Sequence, residues 1–401
     1  MMMSKVQQTA PMLRFKGYTD AWVQRKLGET LKDLKSGLSR MLSDIDVGLP
    51  VIRANNINQG CLDMENDVKY WYVDDPQGAK TEKYLVHSGD ILINFINSEA
   101  KMGTATIVGV EPERSTIYTT NILKAQTNDG YDSYFWFIIT QTEKYKTDIK
   151  RITKPAVNQA SFTTVDFKAL EYKLPLLREQ TAIGNFFCTL DNIITLHKRK
   201  LDSLKELKMG YLQQMFPQDG ESVPRVRFSG FAGDWQEQKL GDEADIFAGG
   251  DINNDKVLED GKYPVYANAL TNDGIVGYYD NDFRIEAPAV TVTGRGDVGY
   301  AKARKVNFTP VVRLLAVKSK HDVDFLENAI NNHNVFVEST GVPQLTAPQL
   351  AKYMISFPSL AEQTAIGRFF INLDRQITEQ TQKIEQLKQL KKVYLQKMFV
   401  A

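Results

Sequence analysis

The sequence predicts a mixed α/β protein built by internal duplication. Two α/β domains are each followed by a long helix, and the two helices pair as an antiparallel coiled coil. Three observations predict this. Short motifs recur in the same order in both halves, divergent middles with β-type runs lie between them, and a heptad-spaced apolar stripe closes each half.

Composition sets the bounds. A chain of 401 residues exceeds one average domain, and 42% hydrophobic with 24% charged residues is the balance of a globular protein. No apolar run approaches the ~20 residues needed to span a bilayer; the most apolar short run, Phe135 to Ile139, is core-sized. The start, Met1-Met2-Met3-Ser4-Lys5, lacks the apolar stretch of a signal peptide, so a cytoplasmic protein is expected. The two cysteines, Cys61 and Cys188, form no redox or metal pattern, and His87, His197, His321 and His333 include no helical zinc pair. No metal site is expected. The 49 basic and 49 acidic residues cancel, which neither advertises nucleic-acid binding nor excludes a local basic face.

Each half opens on a fixed motif. Leu13-Arg14-Phe15-Lys16-Gly17-Tyr18 returns as Val226-Arg227-Phe228-Ser229-Gly230-Phe231, and Trp22 with Lys26-Leu27-Gly28 returns as Trp235 with Lys239-Leu240-Gly241. The expected divisions are a first domain over 12–175, a first helix over 176–216, a linker over 217–223, a second domain over 224–358 and a second helix over 359–401.

The middles come next and share almost nothing. In the first, Leu49 to Ile52, Gly89 to Ile93 and Gly103 to Val108 read as strands, with helical pattern from Ser133 to Tyr145. In the second, Tyr263 to Tyr266, Ala289 to Thr293 and Tyr300 to Val306 read as strands and Val323 to Asn332 as a helix. Neither shows the regular βαβ alternation of a doubly wound sheet. Fixed ends around divergent middles imply one shared task at the ends and two different tasks of one kind between them.

Each half closes on a helix. Glu179-Gln180-Thr181-Ala182-Ile183-Gly184 recurs unchanged as Glu362-Gln363-Thr364-Ala365-Ile366-Gly367. The register then holds through Tyr211-Leu212-Gln213 with Met215-Phe216, matched by Tyr394-Leu395-Gln396 with Met398-Phe399. Heptad spacing gives the stripes Leu190, Ile194, His197, Leu201, Leu204, Lys208, Tyr211, Met215 and Leu373, Ile377, Gln380, Ile384, Leu387, Lys391, Tyr394, Met398. Leu207 and Leu390 are expected to widen the stripe where the lysines interrupt it. Each helix needs a partner, and its copy in the other half has the matching seam. The alternative is that each helix packs separately on its own domain. From Leu190 to Phe216 a helix runs about 40 Å, close to the about 34–36 Å of one DNA turn.

Candidate chemistry is sparse. Gly294-Arg295-Gly296-Asp297-Val298-Gly299 fits a dinucleotide fingerprint, but a strand rather than a helix follows, so a tight hairpin with Arg295 at its tip is the better reading. Asp90 with Glu99 and Lys101 mimics a Mg²⁺-dependent nuclease centre, yet Ala289 stands where Asp90 would align in the second half. No methyltransferase signature and no hydrolytic triad is present. Basic and amide residues cluster in both middles: Lys144, Lys146, Lys150, Arg151 and Lys154, followed by Asn158 and Gln159, in the first, and Arg295, Lys302, Arg304, Lys305 and Arg313, with Gln344 later, in the second. Arginine can read guanine edges, and asparagine or glutamine adenine edges; lysine holds phosphate. On composition alone these clusters are ordinary solvated surface.

The doubled order of motifs resembles the specificity subunits of type I restriction-modification enzymes. Arg14-Phe15-x-Gly17-Tyr18 and Arg227-Phe228-x-Gly230-Phe231 resemble the openings of that family's target-recognition domains. Leu174-Pro175 and Phe357-Pro358, each followed by a Glu-Gln run, resemble its domain-to-helix junctions. The resemblance covers essentially the whole chain. It implies that each divergent domain reads one half of a bipartite site in double-stranded DNA, and that the helices set the gap and bind two modification subunits. Those subunits use S-adenosylmethionine to methylate adenine, and a further restriction subunit uses ATP and Mg to translocate and cut. This chain would then carry no cofactor and no active site. Lys101, Lys150, Arg151, Lys154, Asn158, Gln159, Arg295, Lys302, Arg304, Lys305 and Gln344 become the candidate DNA contacts. Two other readings stay open: a nuclease using Asp90, Glu99 and Lys101, and a coiled-coil scaffold whose middles bind protein.

Overall fold

The computed structural model describes residues 10–58, 60–155, 159–218, 220–333 and 343–400. The chain divides into two compact units, residues 1–196 with 384–401, and residues 197–383. Among the described residues no helix is long and apolar enough to cross a membrane.

In the first unit, Val23–Lys26 pairs antiparallel with Glu171–Leu174, tying the start of the domain to its end. A four-stranded antiparallel sheet runs in the order Leu31–Ser36, Ile122–Thr127, Ile91–Asn94, Ala105–Ile107. Its strand Ile91–Asn94 is buried throughout, which is why it reads as a continuous apolar run rather than an alternation. A smaller sheet joins Ile117–Tyr118, Gly48–Ile52 and Lys69–Tyr72. The helical stretch expected from Ser133 to Tyr145 is two helices, Ser133–Ile139 and Glu143–Ile152. The break has a local cause. The Thr142 hydroxyl donates to the Ile139 carbonyl at 2.7 Å and accepts from the Tyr145 amide at 3.3 Å, so it ends one helix and caps the next.

The second unit repeats this topology with different residues. Gln236–Lys239 pairs with Met354–Phe357. The four-stranded sheet runs Ala244–Ala248, Leu314–Ser319, Ala289–Thr293, Ala301–Arg304, and the smaller one Ile275–Tyr279, Tyr263–Tyr266, Thr309–Pro310. One helix, Val323–Asn331, covers the sheet, its first turn capped by Asp322. The glycine-rich run is a hairpin as expected: the amide of Thr293 bonds the Tyr300 carbonyl at 2.9 Å, and that of Gly299 bonds the Thr293 carbonyl at 2.7 Å.

The long helices are Leu177–Gln214 and Leu360–Lys397, each of 38 residues. They touch within both units. In the first, the rings of Phe186 and Tyr394 lie 4.9 Å apart, and Lys391 Nζ is 2.5 Å from Asp191. In the second, Tyr211 meets Phe369 at 4.9 Å and Lys208 Nζ is 2.6 Å from Asp374. Also in the second unit, Gln380 Nε2 donates to His197 Nδ1 at 2.6 Å and to its carbonyl at 2.9 Å. Partner numbers rise on one helix as they fall on the other, so the pairing is antiparallel. Leu190, Ile194, Met215, Leu373, Ile384 and Met398 are buried, and Leu201, Leu204, Tyr211, Ile377, Leu387 and Tyr394 half-buried.

Leu207 and Leu390 do not widen the seam; they are 45% and 43% exposed. The lysines beside them take the seam position instead, because each finds a carboxylate on the opposite helix. Half-exposed pairs of this kind contribute at most about 1 kcal/mol each. Their larger effect is on register, since a slip leaves a charge facing an apolar stripe.

The helix ends complete the cores. Phe399 stacks on Phe135 at 5.5 Å and meets Trp22 edge-on at 6.2 Å. Phe216 does the same with Phe325 at 5.5 Å and Trp235 at 6.0 Å. The duplicated Met-Phe is therefore a core plug, one for each unit.

Candidate functional site

The frame of each site is set by the repeated Glu-Gln. Glu179 takes a two-pronged bond from Arg14, Nε and NH2 each at 2.6 Å, and Glu362 takes the same from Arg227 at 2.7 and 2.8 Å. The hydrogen bonds to these carboxylates raise both guanidinium pKa values. Gln180 accepts from the Asp132 amide at 3.1 Å and donates to the Pro175 carbonyl at 2.8 Å. Gln363 repeats this with the Asp322 amide at 3.2 Å and the Pro358 carbonyl at 2.9 Å. Asp132 and Asp322 are the caps of the helices that cover the sheets. The shared residues thus bind the domain start, the domain end and the covering helix to the long helix.

The divergent residues collect elsewhere. In the first domain the hairpin after Ile91–Asn94 carries Ile96–Asn97, which joins Ala160–Ser161 and Lys154–Pro155 in a small sheet. Beside it lies a cleft of about 520 Å³, with Arg40, Arg53, Asn97, Asn121 and Gln159 among its lining. The Arg40 fork is held by Asp75, NH2 to Oδ2 at 2.5 Å. That bond, with backbone amides of Ala79 and Gln77, keeps the Asp75 carboxyl well below the usual carboxylate range. Arg53 reaches Asp67 at 2.5 Å. Arg53 Nε and Asn97 Nδ2 are buried donors without a hydrogen-bond partner among the described residues. Unpaired buried donors are costly, and both residues line this cleft, where guanidinium and amide groups come together.

In the second domain the corresponding hairpin holds Arg295, exposed, with a backbone bridge to Gln344. The Gln344 side chain accepts from Arg313. Asn268 ties the parts together: its Oδ1 accepts from the Gly294 amide at 2.8 Å, and its Nδ2 donates to the Val312 carbonyl at 3.1 Å.

The candidate contacts fall into groups. Lys101 sits in the first hairpin's 3₁₀ turn, Glu99–Lys101, and Gln159 on the cleft. Lys154 lies in the small sheet, 3.8 Å from Asp166, while Lys150 and Arg151 end the helix Glu143–Ile152, with Arg151 3.0 Å from Asp148. Asn158 lies outside the described residues. Arg295 and Gln344 come together; Lys302 pairs with Glu327 at 3.5 Å and Lys305 with Asp324 at 2.8 Å. Arg304 needs correcting. It is 7% exposed, stacked 3.7 Å over Tyr266 and bonded to Thr291 at 3.0 Å and Asp273 at 2.5 Å, so its guanidinium is part of the domain interior and is not free to reach a base.

The nuclease reading fails on geometry. Asp90 is 3% exposed and its carboxylate is occupied by Gln126 at 2.7 Å, the His87 amide at 2.8 Å and Lys124 at 3.4 Å. It precedes the strand Ile91–Asn94, whereas Glu99 and Lys101 follow it. Ala289 occupies the matching position, since Asn94 faces Ile122 as Thr293 faces Leu314. Among the described residues no cluster of His, Cys, Asp and Glu could hold a metal. Sequence reasoning missed Arg40, Arg53, Asn97, Asn121 and Asn268. The available signal was polar residues beside buried strands, with Arg53 directly after Gly48–Ile52 and Asn121 directly before Ile122–Thr127.

Comparison with known proteins agrees with this arrangement. Residues 22–206 and 232–389 match the family profile described as the type I restriction modification DNA specificity domain. The chain is 26% identical over 394 residues to a protein of Methanocaldococcus jannaschii described as the type I restriction enzyme MjaX specificity subunit, covering 92% of this chain and 91% of that protein. A Mycoplasma pneumoniae protein described as type I specificity subunit S.MpnORF507P is 32% identical over 108 residues, covering 26% of this chain and 30% of its own length. The fold is that of the crystallised type I restriction-modification S subunit from M. genitalium, with a TM-score of 0.68 at 15% identity, over 97% of this chain and 99% of that one.

Proposed function

The chain belongs to the type I restriction-modification DNA specificity family, and on that premise we propose that its two domains read the two halves of one bipartite DNA site. It is a DNA-recognition subunit of a restriction-modification complex and supplies specificity rather than catalysis. One observation carries the two-half reading. The same fold occurs twice, with identical frame residues and different side chains around the equivalent hairpins: Arg40, Arg53, Asn97, Asn121 and Gln159 line a cleft in one domain, and Arg295, Arg313, Asn268 and Gln344 collect in the other. Two copies of one reader need matched frames and unmatched contacts.

In this reading Lys101, Lys150, Arg151, Lys154, Lys302 and Lys305 hold phosphates, which sets position without sequence. Gln159, Arg295 and Gln344 reach base edges. The paired helices set the unread gap and carry two modification subunits, which bind S-adenosylmethionine; a restriction subunit with ATP and Mg joins through them.

The test is methylation mapping in a host without other adenine methyltransferases, with the chain co-expressed beside its modification subunit. A bipartite motif with a fixed gap, absent without this chain, is expected. Replacing residues 12–175 by those of another member then changes one half of the motif. A motif that changes in both halves, or a continuous one, refutes the two-half reading.

A further inference from the structure

Arg313 is an exposed cation of the second domain with an unusual backbone. Its φ is +73°. The other non-glycine residues with positive φ among those described, Asp67, Asn272 and Asp273, have short side chains that tolerate this region. Arginine has no such tolerance, and a strained residue persists only where its surroundings over-determine it. Here they do. Gly294 passes so close that a Cβ there would stand 2.2 Å from the Arg313 carbonyl oxygen. Asn268 lashes the Val312 carbonyl to the hairpin amide of Gly294. The Gln344 side chain accepts from one prong of the Arg313 fork, and Gln344 is itself bridged to Arg295.

The position is meaningful by comparison with the first domain. Ile122 faces Asn94 where Leu314 faces Thr293, so Asn121 occupies the place of Arg313. Asn121 lines the amide-rich cleft, and its carbonyl accepts from the Phe95 amide at 3.2 Å. The turn at the equivalent place, with positive φ at Arg313 but not at Asn121, thus presents an amide in one domain and a guanidinium in the other. Amides pair two-pronged with adenine, and guanidinium groups with guanine.

We propose that Arg313, aimed by Gln344, reads a guanine in the half-site of the second domain. A guanidinium has five donors, so the bond to Gln344 leaves the rest of the fork for O6 and N7 of guanine. The strained backbone holds the fork in one direction before DNA arrives, which reduces the ordering cost of binding. This assignment rests on the two-half reading above.

The experiment uses the full chain with its modification subunit, first in the mapping assay and then as purified complex on duplexes altered one base pair at a time. The wild-type motif should contain a G·C pair in one half. R313A should relax that position alone, lowering its discrimination roughly 5- to 150-fold. R313K should lose most of it too, because a point charge does not replace the fork. R313G controls for folding: glycine suits φ +73°, so this variant should melt no lower than wild type while losing the same preference. A uniform loss over all duplexes, or unchanged preference in R313G, overturns the assignment while leaving the two-half reading intact. A wild-type half-site without any G·C pair also overturns it. A non-bipartite motif overturns both.

Discussion

Two glycines on one helix should respond oppositely to the same substitution. Gly184 and Gly210 both lie in Leu177–Gln214. Alanine in place of a helical glycine is favourable by about 1 kcal/mol where there is room. At Gly210 there is room: nothing stands within 4 Å of an added Cβ, so G210A should stabilise by about that amount. At Gly184 the Cβ would stand 2.6 Å from Asp132 Oδ1 and 3.1 Å from the Phe135 amide. Those two atoms form the cap of the helix Ser133–Ile139, at 2.8 Å. Losing the cap costs about 1 kcal/mol, and crowding a packed interface about 1–3 kcal/mol more. The sum outweighs the propensity gain, so G184A should destabilise by about 1–3 kcal/mol.

Urea unfolding followed by tryptophan fluorescence can read this. Trp22, Trp71 and Trp136 fall in the first unit and Trp235 in the second, so a W235F background reports the first unit alone. The mirror variant G367A, whose Cβ would meet Asp322 Oδ1 at 2.6 Å, should destabilise the second unit similarly. A G184A protein as stable as its parent would show that the helix yields at this contact, and would refute the claim that the duplicated glycine is kept for close approach.

Three further outcomes follow from the same frame. E179A strips Arg14 of its partner in a clamp where the two side chains are 14% and 2% exposed; it should cost about 3 kcal/mol, and the R14A/E179A double variant should recover part of that in a melting series. Asp75 has its folded pKa lowered by Arg40, so its contribution is present above the ordinary value of about 3.8 and fades as pH falls below it; D75N should flatten the low-pH limb of a stability profile, and an unchanged limb would exclude Asp75 as a source. Ending the chain at Lys397 removes Met398, Phe399 and Val400 from the first core, which should lower the first unit's urea midpoint and leave that of the second in place.

What the sequence made legible was local or repeated. The helices and the hairpin follow from periodicity and glycine spacing, and the duplication needs only comparison of the chain with itself. The misses share one cause, the need for a partner far along the chain. Lys208 and Lys391 interrupt an apolar stripe until Asp374 and Asp191 face them. Arg304 counts as surface charge until Tyr266 and Asp273 enclose it. Asp90 looks catalytic until Gln126 and Lys124 occupy its oxygens. The cleft draws its lining from segments near Arg40, Arg53, Asn97, Asn121 and Gln159, which no window of sequence brings together.

The division between kept and changed residues has an energetic basis. Strand Ile91–Asn94 and its counterpart Ala289–Thr293 are both buried, yet their sequences differ nearly everywhere. Where both members are apolar, as with Ile91 against Val290 and Ile93 against Val292, a core accepts the change at about 1 kcal/mol per swap. The frame cannot drift in this way. Arg14 with Glu179, and Gln180 between the Asp132 amide and the Pro175 carbonyl, are directional and buried, so changing one member leaves the other unpaired at several kcal/mol. Substitution in one step is therefore cheap in the sheet and on the hairpins and expensive in the frame. A duplicated fold under that constraint changes its sheet and hairpin residues without changing its frame, and this is the pattern the two halves display.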